Sequence, residues 1–181
     1  MKWVTLFFML LLAAVLQAAV PPVPALGGAK LPFLLPVALY YTFAHEMGAM
    51  MVAIVTAAVA QDALGLIPMG YSLPLFFLVS MAFLSTRHSL QEDEFLTRMM
   101  IGGIAGFTVT LGLFLALVWT GAIHVGVGRG IAMALGTAVA ASLTTPLVFG
   151  LAGWLDRVAG NVLPEQMIEA KGRHGLDGPV R

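Results

Sequence analysis

Residues 31–66 read LPFLLPVALYYTFAHEMGAMMVAIVTAAVAQDALGL, and the fold turns on how this apolar stretch is divided. As a single helix its 36 residues would run about 54 Å at 1.5 Å per residue, far beyond a hydrocarbon core of ~30 Å. It would also place Glu46 inside lipid, at a cost on the order of 2.5–3.5 kcal/mol. A hairpin turning at His45-Glu46 removes both problems, and predicts one helix over Leu31–Ala44 and a second over Met47–Leu66.

Outward from that hairpin, four further apolar stretches predict helices: Trp3–Val20, Tyr71–Ser85, Phe95–Trp119 and Gly130–Leu155. A helix satisfies all its backbone groups internally, as the interior of a bilayer demands. The breaks are Pro21, Pro22, Pro24, Gly27 and Gly28 after the first span; Gly65, Pro68 and Gly70 after the third; the polar run Arg87–Glu94; and Gly121, Gly126, Gly128 and Gly130 before the last. Pro146, which has no N–H for the carbonyl of Ser142, marks a kink at Thr144-Thr145-Pro146. Trp3, Tyr71, Trp119 and Trp154 stand at span ends, where amphipathic rings settle. The reading is an all-α integral membrane protein: a compact bundle of about six transmembrane helices over residues 1–158, with a polar cytoplasmic tail over 159–181.

Composition sets the same limits. The chain has 181 residues, of which 60% are hydrophobic and 10% charged, against roughly 25% charged in soluble domains. Mean hydropathy is +0.96. Nine basic and nine acidic residues leave no net charge to recruit nucleic acid. Cysteine is absent, which excludes disulfides, thiol nucleophiles, zinc–thiolate sites and iron–sulfur clusters. Six spans put both termini on one side. That side carries Lys2, Arg87, Arg98, Arg157, Lys171, Arg173 and Arg181, and the other only Lys30 and Arg129, so the termini are expected in the cytoplasm. Lys2 before an apolar run resembles a signal peptide, but Leu16-Gln17-Ala18 and Gln17-Ala18-Ala19 lack the small-residue pattern for cleavage. The first span is therefore expected to stay.

Few residues offer chemistry. Asp62 is the one acidic residue inside a predicted span, and it precedes a Gly/Pro turn. Two readings stand side by side: its carboxylate accepts backbone N–H groups of that turn or of the next helix start, or it contacts an ion, proton or ligand. His45-Glu46 has no His-x-x-x-His partner and reads as a solvated turn rather than half a metal site. Serines and threonines in the last two spans have no accompanying base. The glycines at 102, 103 and 106 follow no strand and make no phosphate loop. No cofactor or enzymatic activity is expected. The small residues instead form stripes at spacing four: Gly102, Gly106 and Thr110; Gly130, Ala134, Ala138 and Ser142; Ala49, Ala53 and Ala57. Such stripes let helices approach closely, within one bundle or against a protein partner, a second copy included.

From Pro22 to Phe83 the order of features resembles the rod shape-determining protein MreD family. A proline/glycine linker leads to Lys30-Leu-Pro-Phe-Leu-Leu-Pro36, then Leu39-Tyr-Tyr41, a turn with Gly48, Gln61-Asp62 closing the third span, then Gly65 and Met69-Gly70-Tyr71 opening the fourth. Asp62 and Gly70 match the family pattern, while Ala58 stands where glycine is common. The resemblance implies a multi-pass protein of the bacterial cytoplasmic (inner) membrane. Its role there would be a non-enzymatic scaffold of the elongation machinery, contributing to cell shape and peptidoglycan synthesis. The implied partners are an MreC-like bitopic protein, the actin-like MreB filament and the elongation-specific glycosyltransferase–transpeptidase pair. It also implies a fold similar to the substrate-capture subunits of energy-coupling-factor transporters. That supplies a rival function, a vitamin-type binding subunit whose contact stripe would be Ala14-x-x-x-Ala18.

Overall fold

The computed structural model describes residues 2–65, 67–86, 95–123 and 126–161. Arg87, His88, His124 and the tail beyond Asn161, with its three basic residues, lie outside them.

Six α-helices make up the described chain: α1 (Lys2–Ala19), α2 (Leu34–Ala44), α3 (Met47–Gly65), α4 (Ser72–Thr86), α5 (Phe95–Trp119) and α6 (Val127–Val158), with a 3-10 turn at Pro24–Leu26. α1, α3, α5 and α6 are long and apolar enough to cross a membrane, the signature of a multi-pass membrane protein. The chain turns at His45-Glu46, as expected. The helices alternate in direction. At one end Asn161 Nδ2 donates to Thr5 Oγ1 at 3.2 Å, and Lys2 pairs with Glu46. At the other, Gln17 of α1 meets Gln61 of α3.

α2 differs most from its expected span. It begins at Leu34 rather than Leu31, and its 11 residues reach only about 16 Å. Every one of them is buried, so α2 is the central post of the bundle. The height above it is filled by the 20–33 linker, folded back on itself by the Val23–Ala29 bridge, with Gly27 and Gly28 at φ +67° and +81°. Leu26's carbonyl presses on Gly136 of α6 so closely that no Cβ would fit there. Irregular backbone at membrane depth is tolerated only when protein satisfies its polar groups. Here Gln17 Oε1 accepts from the N–H groups of Phe33 and Leu34 at 3.1 and 3.2 Å, which caps the start of α2.

α6 is longer than its expected span at both ends. Gly126 is its N-cap, and Gly128, expected in the preceding loop, lies inside the helix, as Gly130 was expected to do. Three glycines there look like loop punctuation, but Gly130 is required by packing, because the Phe114 ring lies where its Cβ would be, within 2.6 Å. The helix continues through Pro146 to Val158. The outward faces of α1, α5 and α6 are apolar, with Val4, Phe8, Leu11 and Val15 on α1 and Leu143, Leu147 and Leu151 on α6 exposed. Water would not tolerate such faces, and lipid does. Trp3, Trp119 and Trp154 are exposed near helix ends.

Candidate functional site

Asp62 is 1% exposed, and its carboxylate is fully occupied with backbone. Oδ2 accepts from Gly70 N–H at 2.7 Å and Oδ1 from Ser72 N–H at 3.1 Å. α4 begins at Ser72, so a side chain from α3 does the work of an N-cap for the next helix, where orphan N–H groups and the helix dipole both favour an anion. Gly70 has φ +102°, a conformation that favours glycine. The Asp62–Gly70 pair thus closes the α3–α4 turn.

The glycine stripes bring α5 and α6 together, the most extensive helix contact in the bundle. A Cβ on Gly102 would overlap the Thr145 hydroxyl and lie 2.7 Å from the Ala141 carbonyl oxygen; one on Gly106 would lie 2.6 Å from the Ala141 Cβ. Gly103 meets Ser142 in the same way. Ala134 is fully buried and Ala138 half-buried. Ala49, Ala53 and Ala57 are buried on α3. These residues are therefore spent on contacts inside this chain. On α1, Ala18 is exposed and Ala14 half-buried.

Above α2 lies a cavity of about 370 Å³, walled by all six helices and the linker. This is within the range of small-molecule sites, roughly 300–1,000 Å³. Its depth is apolar, with Leu35, Phe76, Val109 and Leu113 buried there and the Phe114 ring beside Gly130. Its rim is polar, formed by Gln17, Lys30 and Gln61, with Lys30 exposed. Gly65, Gly106 and Gly130 also line it. The amide orientations follow from hydrogen-bond chemistry. Gln17 Oε1 must accept the two α2 N–H groups, so Gln17 Nε2 donates to Gln61 Oε1, at 2.5 Å. That turns the Gln61 NH₂ away from Gln17, with no acceptor among the described residues.

At the opposite end sits a buried polar cluster that the sequence reading missed. Asp156 Oδ2 accepts from the Tyr40 hydroxyl at 2.8 Å and lies 2.9 Å from His45 Nε2, while Oδ1 accepts from Asn161 Nδ2 at 3.1 Å. The His45 ring stacks on Tyr41 at 4.6 Å between centroids. The expectation of a solvated His45-Glu46 turn therefore holds for Glu46 only. Glu46 is exposed, and Lys2 beside it holds its carboxyl below the usual carboxylate range. The His45 side chain is 9% exposed and drawn inward by Asp156. α6 adds a second buried acid, Asp156, one residue past the expected end of the span. The available signal was Tyr40, Tyr41 and His45 on one apolar helix end, with no stated partner for their polar atoms.

The cluster ties α2, α6 and, through Asn161 and Thr5, α1. Among the described residues no group of three His, Cys, Asp or Glu could hold a metal. Compared with protein-family models, with curated proteins and with solved structures, the chain matches none.

Proposed function

We propose that this chain is a non-enzymatic scaffold of the bacterial elongation machinery, seated in the cytoplasmic membrane with both termini in the cytoplasm. In this reading it contributes to cell shape and peptidoglycan synthesis through contacts with an MreC-like bitopic protein, the MreB filament and the elongation glycosyltransferase–transpeptidase pair. The observation that carries it is the Asp62–Gly70 closure of the α3–α4 turn. Asp62 and Gly70, on which the resemblance to the MreD family leans, are joined by a hydrogen bond in which the buried carboxylate accepts from the N–H of the exposed glycine, and this supports the reading. With the glycine stripes committed to internal packing, partner contact falls to the exposed apolar faces, foremost that of α1. Depletion in the native rod-shaped bacterium tests this: cells should round up while the membrane stays intact, and unchanged rods at full depletion would refute it.

A second reading, the small-molecule binding subunit of a membrane transporter, is favoured by the cavity above α2. It requires an ATP-binding module among the partners, and co-purification separates the two.

A further inference from the structure

The cavity has an uneven lining. Its floor, Leu35, Phe76, Val109, Leu113 and Phe114, is hydrocarbon. Water held there would find few partners, and an ordered water needs two to four. The volume of about 370 Å³ corresponds to roughly a dozen waters at ~30 Å³ each, too large to be left to one or two bridging molecules. A body of similar hydrocarbon character fits it better.

Among the residues lining the cavity Lys30 is the one that carries a charged group. Lys30 has no ion-pair partner among the described residues. The Gln61 NH₂ group is turned from Gln17 by the hydrogen-bond order set out above. No carboxylate lines the cavity among the described residues; the nearest in sequence, Asp62, has both oxygens held by Gly70 and Ser72. A cation would therefore meet Lys30 at this mouth with no carboxylate to offset it, whereas an acceptor-bearing head would meet an ammonium and an amide donor.

We infer that the cavity binds an amphipathic anion, with its phosphate or carboxylate head between Lys30 and the Gln61 amide and its apolar body against Phe76, Leu113 and Phe114. This rests on the cavity alone and not on the elongation reading, so a rounding phenotype neither supports nor weakens it. The head chemistry is shared by a membrane lipid and by a water-soluble metabolite, and the test separates them.

The full chain in phosphatidylcholine nanodiscs is exposed to octyl phosphate carrying a photoreactive diazirine in its tail, and labelled positions are mapped by mass spectrometry. Labelling should concentrate on the segments holding Phe76 and Leu113–Leu117, and should saturate. An octyl trimethylammonium probe with the same tail should not label them. Lys30 is exposed, so K30E leaves the packing alone and should cut the labelling about tenfold, the worth of a charged hydrogen bond. Q61E keeps the acceptor that Gln17 needs and replaces the donor by a negative charge, and should act in the same direction. Competition by phosphatidylglycerol in the nanodisc identifies a lipid ligand; competition by phenyl phosphate in the buffer identifies a soluble one. Label confined to lipid-facing positions such as Leu147 and Leu151, equal labelling by the cation, or indifference to both K30E and Q61E would each overturn the inference.

Discussion

The Tyr40 hydroxyl of α2 donates to Asp156 Oδ2 of α6 at 2.8 Å, across 116 positions of sequence. Both residues are buried, and the bond anchors the central helix to the last one. A buried carboxylate is tolerable only while its partners remain. Asp156→Leu should strand His45, Tyr40 and Asn161, and breaking such a cluster costs about 3–5 kcal/mol. Tyr40→Phe removes one bond to a charged acceptor and should cost about 1.5–3 kcal/mol. Thermal unfolding of the purified chain in detergent checks the order, with Asp156→Leu the lower of the two. Equal melting of both variants and the parent would show the cluster to be dispensable.

Asp62 makes a sharper test, because its role is to accept. Asn keeps one acceptor oxygen for Gly70 or Ser72, whereas Leu keeps none. Asp62→Asn should retain most of the protein in the membrane, and Asp62→Leu should lose most of it, with about 1–2 kcal/mol separating them as for a lost helix cap. Immunoblots of membrane fractions measure this. If both variants stay abundant yet both abolish function, the carboxylate charge itself is at work.

Gly102→Leu and Gly106→Leu should deplete the protein rather than free it from a partner. The space each side chain would need is filled by Thr145, Ala141 and the α6 backbone, and overpacking of this kind costs about 1–3 kcal/mol or more. Leu147→Ala, on the lipid-facing side of the same α6, should leave abundance unchanged. Normal levels of the glycine variants with altered partner recovery would instead place an interface at the stripe.

Orientation can be read with single cysteines, since the native chain has none. Glu46 and Ala122 are exposed at opposite ends of the bundle. With cytoplasmic termini, an impermeant thiol reagent should label Ala122→Cys in intact cells and reach Glu46→Cys only after permeabilisation. The reverse pattern would invert the topology.

Much of the fold was legible because bilayer chemistry is strict. Apolar length and the Gly/Pro breaks placed the ends of α1, α3, α4 and α5 within a residue or two. The sequence was silent where tertiary packing replaced lipid or water. α2 is short because the linker buries itself above it, which no apolar count reveals. Spacing puts Gly130 on a small-residue stripe but does not reveal the Phe114 ring that it faces. The Asp62 turn was readable, since an acid before a Gly/Pro turn and a helix start has a local use. The Asp156 cluster and the cavity were not. Both depend on residues far apart in the chain, His45 with Asp156 and Lys30 with Gln61 and Thr137, and spacing carries no information about such pairs.

A scaffold of the elongation machinery is known by the proteins it holds on to. Tagged protein should be expressed at native level in its own bacterium, extracted in mild detergent, and its partners quantified by mass spectrometry against an untagged control. An MreC-like bitopic protein should be enriched together with components of the wall-synthesis pair, and this enrichment should be lost when the exposed α1 face is altered at Phe8 and Leu11. Recovery of an ATP-binding module in their place would contradict a scaffold role and make the chain a transporter subunit.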